Sequence, residues 1–130
     1  MKLENQVTSL DMAKRLKELG VKQESLFIWF KRGEERSFEL AYEESENWKV
    51  AYSAFTVAEL GEMLPQIIKL KGVKYQLFIS VGLDKQWFVV YANEEDYEDN
   101  APFPIMMTHS EANARGKMVI YLLENKLITL

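Results

Sequence analysis

Two short runs, residues 26–30 and 87–91, are apolar on both faces of an extended chain, and this feature constrains the fold most. An antiparallel strand with one face in water carries polar residues on that face. Both faces of these strands must therefore be covered, and we expect helices on both sides of the sheet. A partner chain or a small-ligand groove is the alternative cover. If a partner covers one face, the predicted interaction surface consists of Phe27, Trp29, Phe88 and Val90.

The first of three predicted helices lies at residues 10–19. Its apolar residues recur at helical spacing, and Gly20 supplies the left-handed conformation that commonly ends a helix. Thr8 and Asp11 have the spacing of a capping pair. The pattern therefore predicts a helix that begins after Thr8 and ends before Gly20.

Two further helices begin with the pattern Thr-x-x-Glu. In this capping box the hydroxyl and the carboxylate each bond a backbone amide that has no partner within the helix. Thr56 and Glu59 predict a second helix that ends at residue 64. Thr108 and Glu111 predict a closing helix over about residues 110–124.

Period-two alternation predicts the strands, and the turn at residues 82–85 joins two of them as a hairpin. The last strand is predicted at an edge, because Pro102 and Pro104 cannot donate to a central ladder. The predicted strands are 26–30, 38–42, 48–54, 73–81, 87–91 and 103–107.

These elements predict an α+β fold with an antiparallel sheet of about five strands and three helices. With 130 residues, the chain is expected to form a single domain over residues 1–130. Both halves run strand, strand, strand, capped helix, so an internal duplication is a second interpretation. An ordinary α+β sheet is the plainer one.

Residue counts exclude several kinds of site. The chain has no cysteine and one histidine, which excludes disulfides, cysteine nucleophiles and zinc sites built on thiolates or several histidines. Its six glycines form neither a dinucleotide-binding nor a phosphate-cradling motif. We therefore predict no metal and no cofactor. The lack of cysteine, of an apolar leader and of an apolar run near ~18 residues predicts a cytoplasmic protein without a membrane segment.

The charge distribution makes nucleic acid an unfavourable partner. The formal net charge is −4, and no segment is strongly basic. Nonspecific binding to DNA or RNA requires several clustered cations that displace condensed counterions. The nearest approach on a single helix is the group Lys14, Arg15 and Lys17. A nucleic-acid-associated regulator that uses this first helix is therefore the alternative function.

A third alternative is a small enzyme that uses His109 and carboxylates. His109 is the only histidine of the chain, and histidine is the residue type that most often serves as a general acid or base. It stands between Thr108 and Ser110 at a predicted helix start, where we expect its ring to face solvent. The acidic residues between 94 and 99 lack the alternating ligands and the glycine of a calcium loop, so we interpret them as a solvated loop.

Four stretches of the chain resemble a known family. They are LENQVTSL at 3–10, AKRLKELGVKQESLF at 13–27, SAFTVAELGEMLP at 53–65, and the segment from EANAR at 111–115 through 127–128. They are similar to a family of small uncharacterised proteins encoded by bacteria, phages and prophages. The resemblance implies a cytosolic accessory protein of a bacterium or its mobile elements, and it implies no catalytic residues.

The sequence therefore predicts a non-enzymatic protein-interaction or accessory protein. The expected partner is another protein or a second copy of the chain, as in a homodimer. We expect neither a nucleic acid nor a membrane as partner.

Overall fold

The protein combines three α-helices and seven β-strands within the residues that the computed structural model describes, 2–32, 37–42, 48–93 and 102–130. The predicted α+β class is confirmed. The strands form two antiparallel sheets of three and four strands, where the sequence predicted one sheet of about five. In chain order the elements are a 3-10 turn Leu3–Asn5, α1 Leu10–Glu18, β1 Phe27–Arg32, β2 Glu39–Ala41, β3 Trp48–Ala54, α2 Val57–Met63, β4 Ile67–Leu70, β5 Val73–Val81, β6 Trp87–Ala92, β7 Met106–Thr108 and α3 Glu111–Glu124.

The two sheets differ in their strand order. The first has the order β2-β1-β3, and the second has the order β4-β5-β6-β7. In a duplicated chain, the equivalent strand of each half would lie at the same place in its sheet. In the first sheet the central strand is β1, the first in chain order, whereas the strands of the second sheet follow one another in chain order from β4 to β7. The strand orders therefore do not repeat, which favours the plainer interpretation.

Strand β4 was not predicted, because it follows α2 directly and has no apolar alternation. Pro65 ends the helical segment, since it has no amide to donate and restricts the residue before it. The chain then pairs Ile68 with Tyr75 and buries Ile68, while Ile67 stays exposed. A two-residue turn, Lys71 and Gly72, joins β4 to β5, and both residues have positive φ, as a tight hairpin requires.

The helix caps confirm one predicted box and correct two. Thr56 accepts a hydrogen bond from the Glu59 amide, and the Glu59 carboxylate accepts one from the Thr56 amide. The cap of α1 is Ser9 instead of Thr8, and the cap of α3 is Ser110 instead of Thr108. In both corrected cases the threonine hydroxyl is used elsewhere, that of Thr8 by the Phe55 amide and that of Thr108 by the Ser110 amide.

The confirmed box leads to a stability prediction. We expect Thr56→Ala to lower the free energy of unfolding by about 0.5–2 kcal/mol, because the Glu59 amide loses its acceptor. Urea denaturation followed by circular dichroism measures this change. Thr56→Ser keeps the hydroxyl and should retain most of the stability. Equal losses in the two variants would show that the cap is not the cause.

Helix α3 lies at the centre of the core and contacts α1, α2, β6 and β7. A Cβ atom at Gly116 would lie only 3.0 Å from Thr8 Cγ2, so the glycine allows the close approach of the N-terminal segment. The buried residues of α3 are Ala112, Ala114, Gly116, Met118, Val119 and Leu122. This helix therefore holds the second sheet against the rest of the molecule.

An aromatic cluster closes the core beside α3. The Phe103 ring, 3% exposed, contacts Tyr75 and Tyr91 at centroid distances of 5.2 and 5.3 Å, and Tyr121 at 6.5 Å. The Tyr91 hydroxyl donates to the Pro65 carbonyl at 2.7 Å, and burial raises the pKa of Tyr91. The cluster joins β5, β6 and α3 around one side chain.

The segment before α1 connects the N-terminal helix to the rest of the fold. Val7 and Thr56 form an isolated antiparallel bridge. The Thr8 amide donates to the Phe55 carbonyl at 2.9 Å, and the Phe55 amide donates to the Thr8 hydroxyl at 3.1 Å. Ser9 extends this contact to α3, because its amide donates to the Asn113 side chain.

Candidate protein-interaction surface

One face of the four-stranded sheet carries apolar side chains across all four strands. Residues directly opposite each other on neighbouring strands point to the same side of a sheet. Phe78 lies opposite Val90, and Phe88 lies opposite Ser80 on one side and Met107 on the other. We call this side the outer face, and its residues are Ile67, Lys69, Lys74, Gln76, Phe78, Ser80, Phe88, Val90, Ala92 and Met107.

The expectation that helices cover both sides of the sheet is wrong for these four strands. On the inner side Val89 and Tyr91 are fully buried in the core that α3 forms. On the outer face Phe78 is 38% exposed, Met107 48% and Ile67 55%. Single exposed apolar residues are normal, but a contiguous group of them is typical of a binding surface.

Phe88 is fixed in position on the outer face by the turn that precedes β6. A Cβ atom at Gly82 would lie 2.8 Å from Phe88 Cε2, so the ring packs directly over the glycine backbone. Phe88 and Val90 are half-buried beside exposed Phe78 and Met107. Because the strands are packed on a rigid core, binding at this face would require little ordering of side chains.

The other two predicted surface residues lie in the first sheet. Trp29 and Phe27 are half-buried on β1. The Trp29 indole N–H donates to the Thr8 carbonyl at 2.9 Å, and the Phe27 ring meets Tyr42 edge-on at 5.9 Å. The four predicted residues are therefore divided between two sheets. Phe88 and Val90 share the outer face with Phe78 and Met107, which the sequence prediction missed.

The outer face carries positive charge at one end. Lys69 on β4 lies directly opposite Lys74 on β5, and both are exposed. Lys71 lies in the turn that joins these two strands. None of the three lysines forms an ion pair with another described residue. Strands β4 to β7 contain no aspartate or glutamate.

The cations of α1 are engaged within the molecule. Arg15 bonds Glu18 at 3.1 Å and Glu124 at 3.2 Å, and these hydrogen bonds raise the pKa of Arg15. Lys14 lies over Phe38, with its Nζ 5.2 Å from the ring centroid. Lys17 lies over Tyr52 and donates to the Ala51 carbonyl. Of the three cations, only Arg15 has its charge paired by carboxylates, whereas Lys14 and Lys17 keep their charge but are held against aromatic rings.

His109 lines an open cleft of about 1070 Å³ between the start of α2 and the start of α3. The ring is exposed, and it forms no hydrogen bond or ion pair with another described residue. The nearby Glu111 carboxylate pairs with Arg115 at 2.7 Å. A catalytic base is normally oriented by a third group, and the described residues place none on His109. The cleft therefore gives no specific support to the enzyme alternative.

The acidic residues between 94 and 99 lie outside the described part of the chain. Among the described residues, no three His, Cys, Asp or Glu side chains come together in a way that could hold a metal ion. None of the described helices has the length and apolar character to cross a membrane.

Comparison with protein-family models, curated proteins and solved structures finds no match to this chain.

Proposed function

We propose that this chain is a non-enzymatic protein-interaction protein that binds an apolar segment of another protein through the outer face. One observation carries the proposal. Exposed Phe78 and Met107 lie beside half-buried Phe88 and Val90 on a sheet face that no described helix covers. The proposal includes the accessory role in a bacterium or its mobile elements that the sequence resemblance implies.

The chemistry of the outer face favours a protein as partner. Burial of apolar surface contributes about 25 cal/mol per Å², and aromatic side chains near the centre of an interface often dominate its affinity. Phe78 and Phe88 occupy the two central strands, with Ile67 and Met107 on the flanking strands. This arrangement has an aromatic centre and an aliphatic margin.

The proposal is tested by site-specific cross-linking in cells. We expect a photoreactive phenylalanine derivative at position 78 to yield a discrete cross-linked protein. The same group at Leu83, a fully exposed turn residue, should yield none. Met107→Glu should reduce the cross-link at position 78 at least about tenfold, or about 1.4 kcal/mol of apparent affinity, because a carboxylate replaces a buried contact.

Two results would contradict the proposal. One is the same set of cross-linked bands from positions 78 and 83. The other is a cross-link at position 78 that Met107→Glu leaves unchanged. The melting temperature of Met107→Glu serves as control and should change little, because Met107 is 48% exposed.

A further inference from the structure

We infer that the partner of the outer face is an acidic segment, in which carboxylates adjoin the apolar side chains and meet Lys69 and Lys74. The inference rests on the proposed function and names the chemistry of the partner. It is carried by the opposed lysine pair at one end of the face and by the lack of carboxylates on the four strands.

The opposed pair is unfavourable in the isolated protein. Like charges directly opposite each other on neighbouring strands destabilise a sheet. A lysine on an edge strand can prevent unwanted strand pairing, and this role would account for Lys69 on β4. It does not account for Lys74, because β5 lies between β4 and β6 and has no free edge. An incoming carboxylate would relieve the repulsion between the two ammonium groups.

A second copy of the chain would not supply that carboxylate from the same face. A symmetric pair of outer faces would bring together two faces, each of which carries two lysines and no acidic residue. The lysines would then stay unpaired at the rim or become buried without a partner, which is costly. Charge complementarity therefore favours a different, acidic chain over self-association.

A nucleic acid also carries negative charge, but the face suits it less well. Bases stack on aromatic rings, and phosphates need several cations along the strand. The outer face has two phenylalanines, but Ile67, Val90 and Met107 surround them. These aliphatic side chains match apolar protein side chains better than phosphates and sugars.

The geometry also predicts an order within the partner. The lysine pair lies at the level of residue 74 on β5, and the Phe88–Met107 pair lies at the level of residue 80. At about 3.3 Å per residue these levels are roughly 20 Å apart. A bound extended segment of about six residues would span them, with its carboxylates at one end and its apolar side chains at the other.

The experiment selects binders from a displayed library of random peptides of about 12 residues, long enough to cross the face. The targets are the full-length wild type, Lys69→Glu/Lys74→Glu, and Lys117→Glu as a single charge reversal on α3, outside the outer face. We expect wild type and Lys117→Glu to enrich aspartate and glutamate at least about twofold over the input, beside apolar residues. The Lys69→Glu/Lys74→Glu variant should enrich lysine and arginine instead.

The outcomes separate this inference from the proposed function. If Phe78→Glu abolishes binding of the selected peptides but their acidic content matches the input, the acidic partner is wrong and the binding face stands. If Phe78→Glu changes nothing, both fail. A wild-type dimer at micromolar concentration that Phe78→Glu converts to a monomer would show that a second copy is the partner, which overturns the inference. If the wild type binds single-stranded oligonucleotides more tightly than the selected peptides, and Lys69→Glu/Lys74→Glu loses this binding, the inference is overturned as well.

Discussion

Phe103→Ala should lower the free energy of unfolding by about 3–5 kcal/mol. Phe103 is buried among three tyrosines, and its removal leaves a cavity where Tyr75, Tyr91 and Tyr121 meet. The surrounding elements β5, β6 and α3 are held by their own hydrogen bonds and cannot collapse fully into the space. Urea denaturation followed by tyrosine and tryptophan fluorescence measures the loss.

The matched control is Phe103→Leu, which retains much of the side-chain volume. We expect it to lose clearly less stability than the alanine variant, because its residual cavity is smaller. The slope of the free energy against urea should remain the same in all three proteins, since the folded state is unchanged. A loss below about 1 kcal/mol for Phe103→Ala would mean that the aromatic cluster adds little to the core.

Thr8→Val should lower the free energy of unfolding by about 1–3 kcal/mol, although valine has nearly the same shape as threonine. The Thr8 hydroxyl accepts the hydrogen bond of the Phe55 amide, and Thr8 is fully buried. Valine leaves that amide without an acceptor in a dry environment. The methyl group that packs against Gly116 is preserved, so the loss reports the hydrogen bond instead of packing.

Thr8→Ser tests the same site from the opposite direction. Serine keeps the acceptor and removes the methyl group, so the loss should reflect packing alone. Hydrogen exchange of the Phe55 amide is the decisive measurement, because protection should fall in Thr8→Val beyond the change in global stability. If Phe55 stays equally protected in both variants, a different acceptor replaces the hydroxyl.

The three helices were predictable from the local sequence pattern, whereas the capping residues of two of them were not. Apolar spacing and Gly20 place α1, and the reciprocal bonds of Thr56 and Glu59 place the start of α2. At the other two starts, a threonine and a serine stand close together in sequence, and either hydroxyl could cap the helix. At α1 a tertiary contact decides, since the hydroxyl of Thr8 is bonded to the Phe55 amide. At α3 the contact is local, since the hydroxyl of Thr108 is bonded to the Ser110 amide.

The division into two sheets was not predictable from alternation. Alternation shows that a segment is extended, but pairing depends on segments distant in sequence. Strand β4 had a local signal that the prediction missed. Lys71 and Gly72 stand between two apolar segments, and a two-residue connection that ends in glycine is typical of a tight hairpin.

The outer face was predictable in part. Phe88 and Val90 were identified because β6 carries apolar residues on both of its faces. Phe78 was missed, although it lies on the same face of β5 as the polar residues Lys74, Gln76 and Ser80. A large aromatic residue among alternate positions that are otherwise polar is the signal that would have identified it. The opposed lysines were missed together with β4, since their pairing follows from the two-residue turn at Lys71 and Gly72.

The contact between α1 and α3 has a consequence for synthesis of the chain. The Ser9 amide and its Asn113 acceptor are 104 positions apart. At about 5–20 residues per second, a ribosome needs roughly 5–20 s to make the intervening chain. The side of α1 that contacts α3 therefore stays uncovered during this time, although α1 can already pack against β3. The hairpins of the second sheet close between neighbouring segments of the chain. We expect the two sheets to form from segments that are near in sequence, and the contact between α1 and α3 to form only once α3 has emerged.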